Sequence, residues 1–291
     1  MKIALSTLAC SDWTLEHIVT FAESAGYEGL DHRTFGHGST GLVYDPCLVG
    51  PGKLRGLLGA HGLESSSLAT SIRYDAPVFP PVLGRVISDY EASVKATKSM
   101  VRTAASIECP HVRVFAFELP KGESRSSGLR RIQQRLEMAL TTARHTGVKL
   151  VLENGGSFPL ASDLAEIITR INNPLLMACY NPVVGHAAGE DIVQAVRMLG
   201  RMLAIVKLKD LRGLEPVAIG DGDVPLEPMI GELVRRKFNG WGVVEWDRLW
   251  FKDSEKAVSD PTAVLEASAA TAYKWVGAAQ ATARGATPAM A

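Results

Sequence analysis

The feature that most constrains this chain is an arrangement that repeats although the residues do not. Short apolar runs alternate with amphipathic helical stretches from one end to the other. The predicted strands are Lys2–Thr7, Gly29–Arg33, Leu63–Ala69, His111–Ala116, Lys149–Glu153, Leu175–Tyr180, Leu203–Leu208 and Gly242–Trp246. Helical periodicity fills the gaps at Thr14–Ala25, Pro51–His61, Val86–Ile107, Gly128–His145, Ser162–Asn172, Asp191–Leu199, Leu226–Lys237 and Pro261–Val276. Strands interleaved with helices build βαβ units on a parallel sheet. Eight units of about 35 residues predict a single closed α/β barrel of the (β/α)8 TIM type rather than an open sheet. No linker divides the chain. The barrel is expected to span 1–277, with a frayed, small-residue tail over 278–291.

Local chemistry agrees with this division. Ser11-Asp12-Trp13-Thr14 offers caps to the first helix, and Gly26 closes it. Gly147 ends the helix before the fifth strand, with Arg144-His145 in its last turn, where cations suit the dipole. The loop Ser71–Pro81, with Pro77, Pro80 and Pro81, is the longest candidate lid. Thirty-one Lys and Arg balance 31 Asp and Glu, so no basic excess steers the chain to nucleic acid. No apolar run approaches the roughly 20 residues of a membrane span. The opening Met1-Lys2-Ile3-Ala4-Leu5-Ser6 turns polar too soon for a secretory signal. Cys10, Cys47, Cys109 and Cys179 are scattered, which suits reduced thiols in a cytoplasm.

A barrel of this kind works at the C-terminal ends of its strands. The second strand ends in Asp31-His32-Arg33, the fifth in Glu153-Asn154, the sixth in Asn181 and the eighth in Glu245-Trp246-Asp247. The seventh reads Val206-Lys207-Leu208-Lys209-Asp210. Alternation puts Lys207 and Lys209 on one face, and likewise Asp31 and Arg33 on one face with His32 on the other.

These ends sit in longer motifs: "LVLENGG" at 150–156, "ACYNPVVGHAAGEDIVQAVRMLG" at 178–200, "IVKLKD" at 205–210, "IGDGDVPL" at 219–226 and "GWGVVEWDRLW" at 240–250. In series, and with "ALSTLACSDWTLEHIVTFAESAGYEGLDHR" at the start, the chain resembles the sugar phosphate isomerase/epimerase superfamily, the xylose-isomerase-like barrels. The resemblance runs from about residue 2 to 276. It implies a metal site of Glu, Asp, His and Glu on strands five to eight. Glu153 and Glu245 retain the first and last positions. Asn181 stands where the Asp belongs and Lys207 where the His belongs. His186 falls in the following loop and does not rescue the site.

A protonated lysine is no metal ligand and repels a cation. The expectation is therefore no cofactor, with Lys207 standing in electrostatically for the metal. Its ammonium would pair with Glu153 and Glu245 and polarise a substrate oxygen. The two glutamates would move protons next to a carbonyl of a sugar-like, polyhydroxylated compound, as an isomerase, epimerase or lyase. Two other readings of Lys207 compete: a Schiff-base lysine, which needs a depressed pKa, and an inert ion pair filling the old metal hole. At the level of the whole protein the alternatives are two. One is a conventional enzyme holding Mn²⁺ or another divalent ion on Glu153 and Glu245. The other is a non-catalytic barrel that binds a sugar-like ligand or a partner subunit.

Asn181 is assigned to substrate hydrogen bonding. His32, His186, Arg113, Arg212 and Trp246 are further substrate-binding candidates, and Trp250 is a candidate pocket wall. Arg113, if interior, needs a partner, which Glu153 or a substrate anion could be. His17, His61, His111 and His145 are read as structural, and Asp210 as an anchor for its loop. The "GDGD" at 220–223 lacks the strand-then-helix setting of a nucleotide fingerprint. The superfamily's zinc endonucleases are excluded by too few strand-end histidines and the balanced charge. The partner expected is a small molecule, and homo-oligomerisation is left open.

Overall fold

The computed structural model describes residues 1–36, 41–76, 91–247 and 260–285. Eight parallel strands close into a barrel: β1 (Lys2–Ser6), β2 (Gly29–Arg33), β3 (Glu64–Arg73), β4 (His111–Phe115), β5 (Lys149–Glu153), β6 (Leu176–Tyr180), β7 (Leu203–Leu208) and β10 (Trp241–Val244). β1 pairs with both β2 and β10, which seals the ring. A small antiparallel hairpin, β8 (Asp210–Arg212) with β9 (Glu215–Val217), rises from the end of β7. The outer helices are α1 (Leu15–Ser24), α2 (Pro51–Ala60), α3 (Ala92–Ser106), α4 (Arg125–Ala143), α5 (Ala161–Ile171), α6 (Pro182–Ala187), α7 (Ile192–Leu199), α8 (Leu226–Arg235) and α9 (Thr262–Gly285). The described helices and strands mostly follow the sequence expectation to within a few residues; residues 86–90 of the expected third helix lie outside the described residues, and α6 and the β8–β9 hairpin are additions to it. α9 departs from it, because it runs to Gly285 instead of fraying after Val276. Its small residues include many alanines, the best helix formers, so low bulk did not mean low helicity.

Strand alternation sorts the chain into three environments. The outward face, with Ile3, Leu5, Leu30, Leu68, Val112, Val114, Leu150, Leu152, Val206 and Leu208, packs against the helices in one apolar cluster. The inward face begins apolar. Ala4, Val151, Cys179, Ile205, Trp241 and Val243 plug the N-terminal half of the barrel. Gly29 makes room for that plug: a Cβ there would stand 2.9 Å from the Trp241 ring and 2.5 Å from the Glu64 carbonyl. Two residues further along the same inward rows the side chains become charged. Val151 gives way to Glu153, Ile205 to Lys207 and Val243 to Glu245. An ionic layer thus lies on an apolar plug, at the C-terminal end of the strands.

Of the predicted lid, residues 71–76 are described, and 77–81 lie outside the described residues, as does Trp250. Cys10, Cys47, Cys109 and Cys179 form no disulfide.

Candidate active site

β5, β7 and β10 each deliver a charged side chain to the barrel interior, and β2 and β4 supply counter-charges. Lys207 is the centre. Its Nζ donates to Asp31 Oδ2 at 2.7 Å and to Glu245 Oε2 at 2.9 Å, with 1% of the side chain exposed. Asp31 also accepts from Ser6 Oγ at 3.0 Å and from Ser67 Oγ. Glu245 is further bound by Lys209 Nζ at 3.2 Å, and Lys209 donates to Asp247 Oδ2 at 2.8 Å. Glu153 stands on the other side. It accepts from Arg113 Nη1 at 3.0 Å and from Asn181 Nδ2 at 3.0 Å. Arg113 joins the two halves, since the same Nη1 lies 3.8 Å from Glu245 Oε2. Asn154 ties the strand ends together: its Oδ1 accepts from Asn181 N at 2.7 Å and its Nδ2 donates to Asn181 O at 3.0 Å.

The charges hold one another in place. Burial opposes the Lys207 ammonium, but Asp31 and Glu245 more than offset it, and its pKa rises above the ordinary lysine value. Lys209 is raised in the same way by Asp247 and Glu245. Burial likewise opposes the Glu245 carboxylate, yet Lys207, Lys209 and Arg113 hold it well below the usual carboxylate range. Asp31 is lowered, because Lys207 and Arg113 outweigh burial. Asp247 moves the other way: burial raises it more than Lys209 lowers it. A lysine held protonated is a poor carbonyl nucleophile, so the Schiff-base reading of Lys207 loses its chemical basis.

Above this layer opens a cavity of about 480 Å³. Arg33, Arg73, Arg113, Glu153, Lys209, Glu245 and Asp247 line it, with Phe115 and Phe117 as apolar walls. Lys207 does not line it. The ammonium expected to touch substrate lies beneath the floor, and Lys209, one inward step nearer the mouth, takes the exposed position. Lys207 pairs with Asp31 and Glu245; the expected Lys207–Glu153 pair is replaced by Arg113–Glu153. The Arg113–Glu153 pair is one the sequence suggests. Asn181, expected to bind substrate, instead spends its Nδ2–H on Glu153 and does not line the cavity.

Four other expected substrate contacts lie elsewhere. His32 points outward, its Nε2 3.0 Å from Ser65 Oγ and its Nδ1 2.8 Å from Tyr44 Oη. Burial pushes its pKa down to about 4, so it is a neutral packing group. His186 is exposed on α6, away from the cavity. Arg212 is exposed on the hairpin, where its Nε donates to Asp221 O at 3.1 Å. Trp246 is buried and off the cavity wall. As expected, Asp210 anchors its loop, accepting from the backbone N–H groups of Leu211, Gly220, Gly222 and Val224. Gly222 is required there, because a Cβ would overlap the Asp210 carboxylate.

The residues that sequence reasoning passed over are Asp31, Arg33, Arg73, Lys209 and Asp247. Three of them carried a legible signal. Asp31 shares a face with Arg33, and Lys209 with Lys207, so placing one partner inside places the other.

The donor set does not fit a divalent cation. Among the described residues no group of three or more His, Cys, Asp or Glu side chains is arranged to hold a metal ion. Both retained glutamates are already engaged by cations, Glu153 by Arg113 and Glu245 by Lys207 and Lys209, and the Lys207 ammonium occupies one of the four ligand positions itself.

Comparisons with known proteins bear on the whole barrel. A solved L-ribulose 3-epimerase superposes with a TM-score of 0.80 at 14% identity, over 100% of this chain and 99% of that one. The IolI protein with a bound zinc atom gives 0.76 at 16% identity, over 96% and 99%. A probable 3-DHS dehydratase, AsbF, of petrobactin synthesis in Bacillus anthracis gives 0.73 at 16%, over 93% and 98%. At these identities the likeness is one of fold. No curated protein sequence matches the chain. Residues 19–270 match a family of barrels, and the chain accordingly belongs to the xylose isomerase-like TIM barrel family.

Proposed function

We propose that this protein is an isomerase, epimerase or lyase that moves a proton next to a carbonyl of a polyhydroxylated substrate, using fixed ammonium groups where a divalent ion would otherwise stand. The observation that carries this reading is the cavity wall: the Glu153 carboxylate and the Lys209 ammonium face the same space. Glu153 is the base. Arg113 and Asn181 fix its two oxygens, so the carboxylate is oriented before substrate arrives. As the proton leaves carbon, negative charge gathers on the carbonyl oxygen. Lys209, held protonated by its two carboxylates, supplies the N–H that stabilises it. Asp247, whose pKa burial raises, is the wall carboxyl best suited to return a proton.

Glu245 takes a different part from the acid–base role that the resemblance suggests. A carboxylate held well below its usual range is a weak base. It serves to position Lys207 and Lys209. Lys207 in turn acts through Asp31 and Glu245 as a positioning residue.

The structural neighbours include proteins described as an epimerase and a probable dehydratase, which supports carbon–hydrogen chemistry of this class. The test is hydrogen exchange followed by NMR in D₂O, with a panel of ketoses and hydroxylated keto acids. Wild-type protein should exchange a C–H next to the carbonyl of at least one probe, and Glu153→Gln should abolish that exchange in protein shown to be folded by circular dichroism. Exchange that persists in Glu153→Gln would remove Glu153 from the mechanism. Absence of exchange with every probe would favour a barrel that binds its ligand without catalysis.

A further inference from the structure

One cation on the cavity wall has no ion-pair partner among the described residues; Glu245, Asp31 and Glu153 act on it only from beyond ion-pair distance. Arg33 ends β2 and is 2% exposed. Its Nη1 donates to the Ala69 carbonyl at 2.8 Å and its Nη2 to Ser71 Oγ at 2.6 Å, both neutral acceptors. Its Nε–H is buried with no acceptor among the described residues. Nor does any described carboxylate lie within ion-pair distance of the guanidinium. The contrast with its neighbours is sharp. Arg113 has Glu153, Lys207 has Asp31 and Glu245, and Lys209 has Glu245 and Asp247. Even Arg73, at the open edge, lies 3.8 Å from Asp75.

Burial does not silence this charge. It draws the Arg33 pKa down only to about 10, so the group stays protonated at neutral pH. A buried, unpaired charge is costly, and folds rarely keep one without a partner. Here the missing partner would approach from the cavity, because Arg33 lines it. The wall as a whole points the same way, with Arg33, Arg73, Arg113 and Lys209 set against Glu153, Glu245 and Asp247. Phe35 lies under the guanidinium plane, 4.3 Å from its carbon, and fixes the orientation of the fork. A guanidinium presents several N–H donors in a plane, which matches an oxyanion better than a hydroxyl.

We propose that Arg33 receives an anionic oxygen group of the substrate, a carboxylate or a phosphate. The natural substrate is then a polyhydroxylated acid or a sugar phosphate, not a neutral sugar. This rests on the reading of the cavity as the substrate site, but not on the proton chemistry assigned to Glu153.

The probes are three six-carbon compounds: D-gluconate, D-glucose 6-phosphate and neutral D-glucitol, with inorganic phosphate as a fourth. Binding is measured by calorimetry at low ionic strength. At least one of the anionic sugars should bind about tenfold or more tightly than glucitol. A gain for gluconate alone identifies a carboxylate site. A gain for glucose 6-phosphate, with competition by inorganic phosphate, identifies a phosphate site. Arg33→Gln should erase the preference, weakening the anionic sugar far more than glucitol. Arg33→Lys keeps the charge but loses the fork, so it should retain only part of the preference and provides the test if Arg33→Gln does not fold. Equal binding of glucitol and both anionic sugars by wild-type protein overturns the proposal, as does a preference undiminished in both variants. Glu153→Gln separates the two readings. It should keep the anion preference while losing C–H exchange, so the base assignment can fail while the anion site stands, and the reverse.

Discussion

Replacing Lys207 with methionine tests the central claim, that this ammonium exists to neutralise two buried carboxylates. Methionine keeps the length and apolar stem of lysine and removes the charge. It leaves Asp31 and Glu245, both 5% exposed or less, facing each other without their shared cation. Breaking a buried pair from one side generally costs about 3–5 kcal/mol. The structure supplies an upper bound, because the variant can escape by protonating one carboxyl. Taking a group of ordinary pKa near 4 to its neutral form at pH 7 costs about 4 kcal/mol, at about 1.4 kcal/mol per pH unit. Arg113 stays nearby and offsets part of the loss, since it already helps to lower both carboxyl pKa values. The expected destabilisation is therefore about 3 kcal/mol at neutral pH. The same bound falls with pH, to about 2 kcal/mol near pH 5.5, because protonation becomes cheaper. Urea unfolding followed by circular dichroism at the two pH values measures both quantities. A loss under about 1 kcal/mol at neutral pH, or one that grows on acidification, would refute the reasoning.

Further outcomes follow from the same layer. Asp31 and Glu245 have lowered folded-state pKa values, so their contribution is complete above the ordinary carboxylate range and is lost as pH falls through the lower folded values; acid titration of stability should show a steep loss below about pH 4. His32 is neutral in the fold down to about 4, so stability should also decline as pH drops from about 6.5 toward that value, by up to about 3 kcal/mol, and His32→Gln should flatten that limb of the curve. Gly222→Ala should destabilise by about 1–3 kcal/mol through displacement of Asp210 from its four backbone donors, as read from the thermal midpoint. Protein purified from medium with added Mn²⁺, Co²⁺ and Zn²⁺ and then dialysed should carry far less than one ion per chain by mass spectrometry; a stoichiometric ion would overturn the ammonium-for-metal reading.

The barrel was legible because its determinants are local. Alternating apolar rows, helical stripes and capping residues each state their element without reference to the rest of the chain. Glu153, Glu245, Asn181 and Arg113 were legible because strand ends in such a barrel converge, and alternation says which residues face in. The partners within the layer were not legible. Whether Lys207 meets Glu153 or Asp31 depends on the stagger of β2, β5, β7 and β10 around the ring, and no stretch of sequence encodes that. Depth was hidden for the same reason. Lys207 and Lys209 read alike along the chain, and only the closed barrel sets one beneath the floor and the other on the wall. His32 illustrates a residue type outweighing its position. A histidine at a strand end suggests chemistry, yet its face turns it to Tyr44 and Ser65.

The proposed exchange of a metal for lysine would have a consequence for the rest of the site. A divalent ion can bind several substrate oxygens at once and carries two charges to a single point. An ammonium carries one charge and three donors, and the donors of Lys207 face inward to Asp31 and Glu245. A site rebuilt around it must therefore recover substrate affinity and oxyanion stabilisation from separate groups. The positions of the cations match that demand: Lys207 balances the floor, while Lys209 and Arg33 line the cavity, where the proposed roles would have them meet the reacting oxygen and an anionic group. The reversal Lys207→His with Asn181→Asp tests whether these changes are one adaptation. If the geometry of a metal site persists, the double variant should gain tight divalent binding, measurable by calorimetry with Mn²⁺. It should lose none of the anion preference that depends on Arg33. If it gains no metal, the surrounding layer of Asp31, Arg113 and Lys209 has been rebuilt for fixed charges, and two substitutions are too few to restore a cation site.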